Sequence, residues 1–112
     1  MKKDNQFLVD MLQSAELVQQ YTTDCSKDDF INNVQLQDAV IRRLLVIAEA
    51  ARRVSGNTRQ TLFNISWKEI NGMRNRLVHE YDDIDLDIVW VVVQQEISIL
   101  IRELKSIIPS NK

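Results

Sequence analysis

From residue 1 to residue 108 the chain has no proline, and its only glycines are Gly56 and Gly72. These two residue types end helices most readily, proline by lacking a backbone donor and fixing φ, glycine by its conformational freedom. A chain so poor in both can run as long helices, and an apolar content of 45% is enough to bury their inner faces. With 112 residues it makes one domain, 1–112, large enough for a core and too small for two. The expected fold is all-α: an up-down four-helix bundle with a short extra helix.

The apolar spacing predicts a first helix over about residues 4–22, with Phe7, Met11, Ala15 and Val18 on one stripe. The second begins after Cys25, where Ser26-Lys27-Asp28-Asp29 reads as a capping box with Asp in the usual Glu place. It continues unbroken to about Val54 through Phe30, Val34, Ile41, Leu45 and Ala48, and Ser55-Gly56-Asn57 stops it. Asp38 falls on or near that stripe and is expected to have a cationic or capping partner, because an unpaired buried charge is costly. A turn of helix is expected over 58–62. The third main helix starts at the capping box Ser66-Trp67-Lys68-Glu69, buries Trp67, Ile70 and Leu77, and frays near Tyr81.

The fourth helix runs from an Asp85 cap to about Ile107, ahead of Pro109. Its β-branched stretch Ile88-Val89-Trp90-Val91-Val92-Val93 resembles a strand locally. Helical spacing through Val89, Val93, Ile97, Leu100, Leu104 and Ile108 decides for the helix. Because this helix is apolar on more than one side, a homodimer interface is its natural cover.

A net charge of −2 argues against a broadly basic nucleic-acid binder, but the charges are unevenly spread. Residues 1–39 carry 3 basic and 7 acidic side chains, residues 40–80 carry 8 and 3, and residues 81–112 carry 3 and 6. The basic middle third, with Arg42, Arg43, Arg52, Arg53 and Arg76 as candidate RNA contacts, also holds Arg59, Lys68 and Arg74. Paired arginines on a helix are more often a solvated face, so the patch gains weight only from the motif beside it. One cysteine, Cys25, cannot form an internal disulfide and fits a reducing compartment, hence the cytoplasm. One Cys and one His fall short of a zinc set, so no metal or other cofactor is expected. No basic segment with a following apolar stretch opens the sequence and no apolar run nears the roughly 20 residues that span a bilayer, so no membrane partner is expected.

The chemistry-bearing run is Met73-Arg74-Asn75-Arg76-Leu77-Val78-His79-Glu80-Tyr81, which holds the only histidine. Histidine can both take and give a proton near neutrality. An arginine within reach supplies a permanent fork for charge developing on a phosphoryl oxygen. A lone histidine near a helix end is, however, more often a packing or capping residue. If the helix continued through His79, Asn75 would lie about 40° from it and Arg74 about 140° away, so Asn75 could orient the imidazole while Arg74 reached round or acted across an interface.

Arg74-Asn75-x-x-x-His79-x-Tyr81, preceded by Ser66-Trp67-Lys68-Glu69-Ile70-Asn71-Gly72-Met73 and followed by Asp82-Asp83-Ile84-Asp85 and Val89-Trp90, resembles the signature of the HepT-like branch of the HEPN superfamily. Gln37-Asp38-Ala39-Val40 and Ala48-Glu49-Ala50 extend the resemblance over nearly the whole chain. Where relatives often read Gly-Glu-Ala, Ala48 stands here, a change that favours the helix.

The resemblance implies a HEPN-like homodimer in which two motifs face a shared cleft. It further implies a toxin of a toxin-antitoxin pair that cleaves cellular RNA, tRNA or mRNA, without metal. Arg74 and His79 would be catalytic, Asn75 orienting, and Tyr81 the acceptor of AMP from a minimal nucleotidyltransferase antitoxin. Two other readings compete: a non-catalytic nucleotide- or substrate-binding subunit of such a nucleotidyltransferase, and a structural helical dimer.

Overall fold

The computed structural model describes residues 2–78 and 83–108; His79, Glu80, Tyr81 and Asp82 lie outside the described residues, as does Pro109. The all-α expectation holds. After a 3-10 turn at Lys2–Asp4, α1 runs Asn5–Thr22 with Leu8, Met11, Ala15 and Val18 buried. The short α2, Lys27–Ile31, opens on the expected capping box, Ser26 Oγ accepting from the Asp29 N–H at 3.0 Å and the Asp29 carboxylate from the Ser26 N–H at 3.1 Å.

The expected second helix is two helices. The chain turns out of α2 at Asn32 and re-enters helix at α3, Val34–Arg52, capped by the Asn33 side chain, which accepts from the Leu36 N–H at 3.0 Å. Gln37 completes the junction: its amide donates to the Phe30 and Ile31 carbonyls at 2.9 Å each, tying the end of α2 to α3. The break also shifts the buried stripe of α3 to Val40, Leu44, Ile47, Ala48 and Ala51, and leaves Val34 at 68% exposure. Asp38 is exposed and needs no partner, contrary to expectation.

The short extra helix is α4, Gly56–Thr61, capped by Ser55. The expected third helix is divided at Gly72 into α5, Trp67–Asn71, and α6, Met73–Leu77. Its capping box is not formed, because no hydrogen bond caps the Ser66 side chain. The Trp67 indole N–H instead donates to the Leu62 carbonyl at 3.0 Å, fixing the approach to α5. A Cβ at Gly72 would lie 3.3 Å from the Lys68 carbonyl oxygen, so the close turn between α5 and α6 is made where no side chain intervenes.

α6 ends at Leu77, four residues short of Tyr81. Val78 is extended (φ −111°, ψ 118°) and forms an isolated antiparallel bridge with Ile84, while the Asp85 N–H donates to the Leu77 carbonyl at 2.8 Å. Asp85 then caps α7, Leu86–Val91, as expected, accepting from the Ile88 N–H at 3.1 Å. A π-helical turn, Val92–Glu96, joins α7 to α8, Ile97–Lys105.

α1 packs chiefly against α3 and α8, α5 and α6 lie on α3, and α2 closes over α3 and α7. Phe30 of α2 meets Trp90 of α7 at a ring-centroid distance of 5.3 Å. Among the described residues no helix is long and apolar enough to cross a membrane.

Candidate functional site: an arginine-lined cleft beside the histidine motif

α6 is only five residues long, and three of its side chains fix its rotation. Met73 and Leu77, four residues apart, are buried. Arg76 turns sideways and sets its fork on Glu96, Nη1 on Oε1 at 3.0 Å and Nη2 on Oε2 at 2.7 Å. The hydrogen bonds that it donates to Glu96 hold the Arg76 guanidinium above its ordinary pKa, against partial burial that acts the other way. Arg74 and Asn75 are thereby left on the exposed side of the helix.

Arg74 lines a cleft of about 510 Å³. Its other walls are Phe7 and Asp10 from α1 and a face of α3 that includes Arg42, Leu45, Val46, Glu49 and Arg52, with Arg53 just past the helix end. Four guanidinium groups therefore share one concave surface with two carboxylates. Glu49 is 3.8 Å from Arg52 and 3.4 Å from Arg53, whereas Arg42 and Arg74 have no ion-pair partner among the described residues. Such a surface attracts anions, and planar forks suit phosphate oxygens.

The cleft gathers Arg42, Arg52, Arg53 and Arg74 from the sequence-predicted set, and it excludes two others. Arg43, one residue round the helix from Arg42, is half-buried and donates to Ser14 Oγ at 3.3 Å. Arg76 is committed to Glu96. Both had been expected as RNA contacts, and both instead tie helices together. His79 and Tyr81 lie outside the described residues. The described geometry stops at the pinned pair Val78 and Ile84, whose bridge sets the two ends of the intervening stretch side by side near α6. Since helix ends at Leu77, the angles of 40° and 140° based on a helix through His79 do not apply.

Sequence reasoning missed Glu96, although a signal was present: it is the only charged residue between Ile88 and Ile101. A single carboxylate in so apolar a stretch needs a partner, and Arg76 is that partner. Cys25 takes no part. It is half-buried at the α1–α2 turn, where burial, with Asp29 nearby, pushes its thiol pKa up, away from a reactive thiolate.

The family model for "Ribonuclease HepT-like" proteins matches residues 11–107. The chain belongs to this family. Among curated proteins, a "Putative RNase" of Methanocaldococcus jannaschii is 38% identical over 99 residues, covering 88% of this chain and 91% of that one. A "Putative RNase" of Caldanaerobacter subterraneus is 32% identical over 112 residues, all of both chains. The "Probable ribonuclease HepT" of Thermococcus cleftensis is 31% identical over 91 residues, 81% of this chain and 83% of that one. No solved structure matches. As a HepT-like protein the chain carries the Arg74-Asn75-x-x-x-His79 motif, whose Arg74 lines the arginine cleft.

Proposed function

We propose that this HepT-like protein is a metal-independent endoribonuclease and the toxin of a two-component system, acting on cellular RNA in the cytoplasm. The observation that carries the reading is the convergence of Arg74 with Arg42, Arg52 and Arg53 on one cleft, four residues before Val78, whose bridge to Ile84 brackets the sequence stretch that carries His79. The RNA supplies its own nucleophile: the ribose 2′-hydroxyl attacks the neighbouring phosphorus, giving a 2′,3′-cyclic phosphate and expelling the 5′-oxygen of the next nucleotide. His79 removes the 2′-hydroxyl proton, returns a proton to the leaving oxygen, or does both in turn. Arg74 meets the charge that builds on the phosphoryl oxygens, and Asn75 orients the imidazole or the phosphate.

The protein acts as a homodimer, in keeping with an arginine and a histidine that need not serve the same protomer's cut. Control falls to Tyr81. A nucleotidyltransferase antitoxin transfers AMP from ATP to its hydroxyl and releases pyrophosphate, leaving a phosphate charge where the RNA phosphate must sit.

The test is cleavage of RNA in EDTA by wild type, Arg74→Ala and His79→Ala. Both variants should keep wild-type helicity and lose at least about 10²-fold in rate, the usual scale of a lost proton-transfer or charge-stabilising group. Full activity in either variant overturns the assignment. In the same assay, antitoxin with ATP and Mg²⁺ should silence wild type and leave Tyr81→Phe active.

A further inference from the structure

A second surface begins three residues along the chain from Arg53 of the arginine cleft. It is an open hollow of about 520 Å³ formed by α4, the turn after it and the start of α5. Phe63 stands in it at 76% exposure, the most exposed of the large apolar side chains among the described residues. Leaving a phenyl ring in water forgoes the free energy of burying it, so its position asks for an occupant. Trp67 lines the same hollow, its indole held by the bond to the Leu62 carbonyl. Beside these rings stand Arg59, Lys68 and Gln60, with Glu69 as the single carboxylate.

The charge on this surface is available to a ligand. Neither Arg59 nor Lys68 has an ion pair among the described residues, and Arg59 Nε is enclosed without an acceptor. Glu69 does part of its work elsewhere, since its charge acts on Arg76. An exposed phenyl ring beside a half-buried indole and unpaired cations has the make-up of a surface for a single strand: bases stack without regard to sequence, and the cations follow the phosphates. A phosphodiester strand serves the rings and the cations together.

The length of the connecting chain bounds the separation of hollow and cleft. Arg53 lines the cleft and Gly56 lines the hollow, and three residues of chain span at most roughly 11 Å. A strand leaving one surface reaches the other within a few nucleotides. We propose that Phe63, with Trp67, Arg59 and Lys68, is a stacking platform for single-stranded RNA that continues the track of the strand held in the Arg42–Arg74 cleft. The platform rests on the reading of that cleft as an RNA site. It gives the enzyme a preference for unpaired RNA extending beyond the cut, because only unstacked bases can lie on the rings.

Fluorescence anisotropy tests the proposal with a labelled single strand of about 12 nucleotides, within the usual span of such grooves. Its riboses are 2′-O-methylated so that it cannot be cut through its own hydroxyls. Phe63→Ala should bind about tenfold more weakly than wild type, the scale of one lost base stack, and Phe63→Trp should bind like wild type. Inorganic phosphate, which has no base to stack on a ring, should compete for all three proteins alike. Equal affinity of wild type and Phe63→Ala for the long strand overturns the platform and leaves the cleft reading standing. A matching loss of phosphate affinity in Phe63→Ala also overturns it, because the ring would then be acting on the cation site and not by stacking. No RNA affinity in wild type overturns both. If Phe63→Ala changes the mass measured by light scattering, the surface is a protein contact and the proposal fails.

Discussion

Asp4 is the one buried carboxylate among the described residues, and it joins the start of α1 to the start of α4. Its oxygens accept from the Ser55 N–H at 3.1 Å, Ser55 Oγ at 2.6 Å and Thr58 Oγ1 at 2.5 Å. The hydroxyl of Ser55, then that of Thr58, hold its pKa below the ordinary carboxylate value, outweighing the burial that opposes them. The folded pKa therefore lies below the unfolded one, so Asp4 contributes stability that is complete above about pH 4 and is lost as the pH falls through the lowered folded value. Urea midpoints of wild type and Asp4→Asn should differ most at neutral pH and converge as the solution is acidified below about pH 4. A gap that widens in acid would show the sign to be wrong. Nothing in the sequence around Asp4 announces this role, because its partners lie more than fifty residues away. Arg76 presents the same difficulty. It stands inside the motif and looks like a phosphate ligand until Glu96, twenty residues on, is seen to occupy its fork.

At the scale of elements, local chemistry was readable where a cap needs only its own neighbours. The Ser26 box and the Asp85 cap form as their sequences suggest. Ser66 has the same pattern and makes no cap bond, because Trp67 is tied back to Leu62 and sets a different entry into α5. The Asn32-Asn33 break was hidden for another reason. Apolar periodicity runs across it, and only the capping tendency of asparagine stood against a continuous helix. The break depends on Asn33 capping α3 and on Gln37 closing the end of α2. Asn33→Ala should cost about 1 kcal/mol and Gln37→Ala about 1–2 kcal/mol. Because both act on one junction, the double variant should lose less than the two single losses added, and a thermal or urea double-mutant cycle measures that coupling. Strict additivity would mean that the cap and the amide act independently. The π turn at Val92–Glu96 was likewise invisible to spacing, since an extra residue in a helix preserves the apolar run on both sides.

The whole molecule is flat, 41 × 34 × 19 Å, and its radius of gyration of 14.0 Å exceeds the roughly 13 Å of a rounded chain of this length. A thickness of 19 Å allows about two layers of helix, so an apolar side chain turned outward finds no third layer to cover it. The last helical stretch shows this at Val91 and Ile99, which remain 42% and 43% exposed while Val89, Val93, Ile97 and Leu100 are buried. The excess apolarity of this segment was legible in the sequence; which residues would remain uncovered was not, because the π turn rotates α8 relative to α7. α6 ends at Leu77, so the angular separation of Arg74 and His79 no longer bears on a dimer, which these exposed side chains favour. Light scattering at micromolar concentration should therefore give about twice the 13.1 kDa of one chain. Val91→Asp with Ile99→Asp should return a helical protein of single-chain mass, because both positions are partly open to solvent in the monomer and a charge costs far more in an apolar interface. That variant should also lose RNA cleavage if the arginine of one protomer serves the histidine of the other. A wild-type monomer that cleaves RNA at full rate would reject the dimer. A dimer unaffected by the two aspartates would move the interface away from Val91 and Ile99 to another face of the molecule.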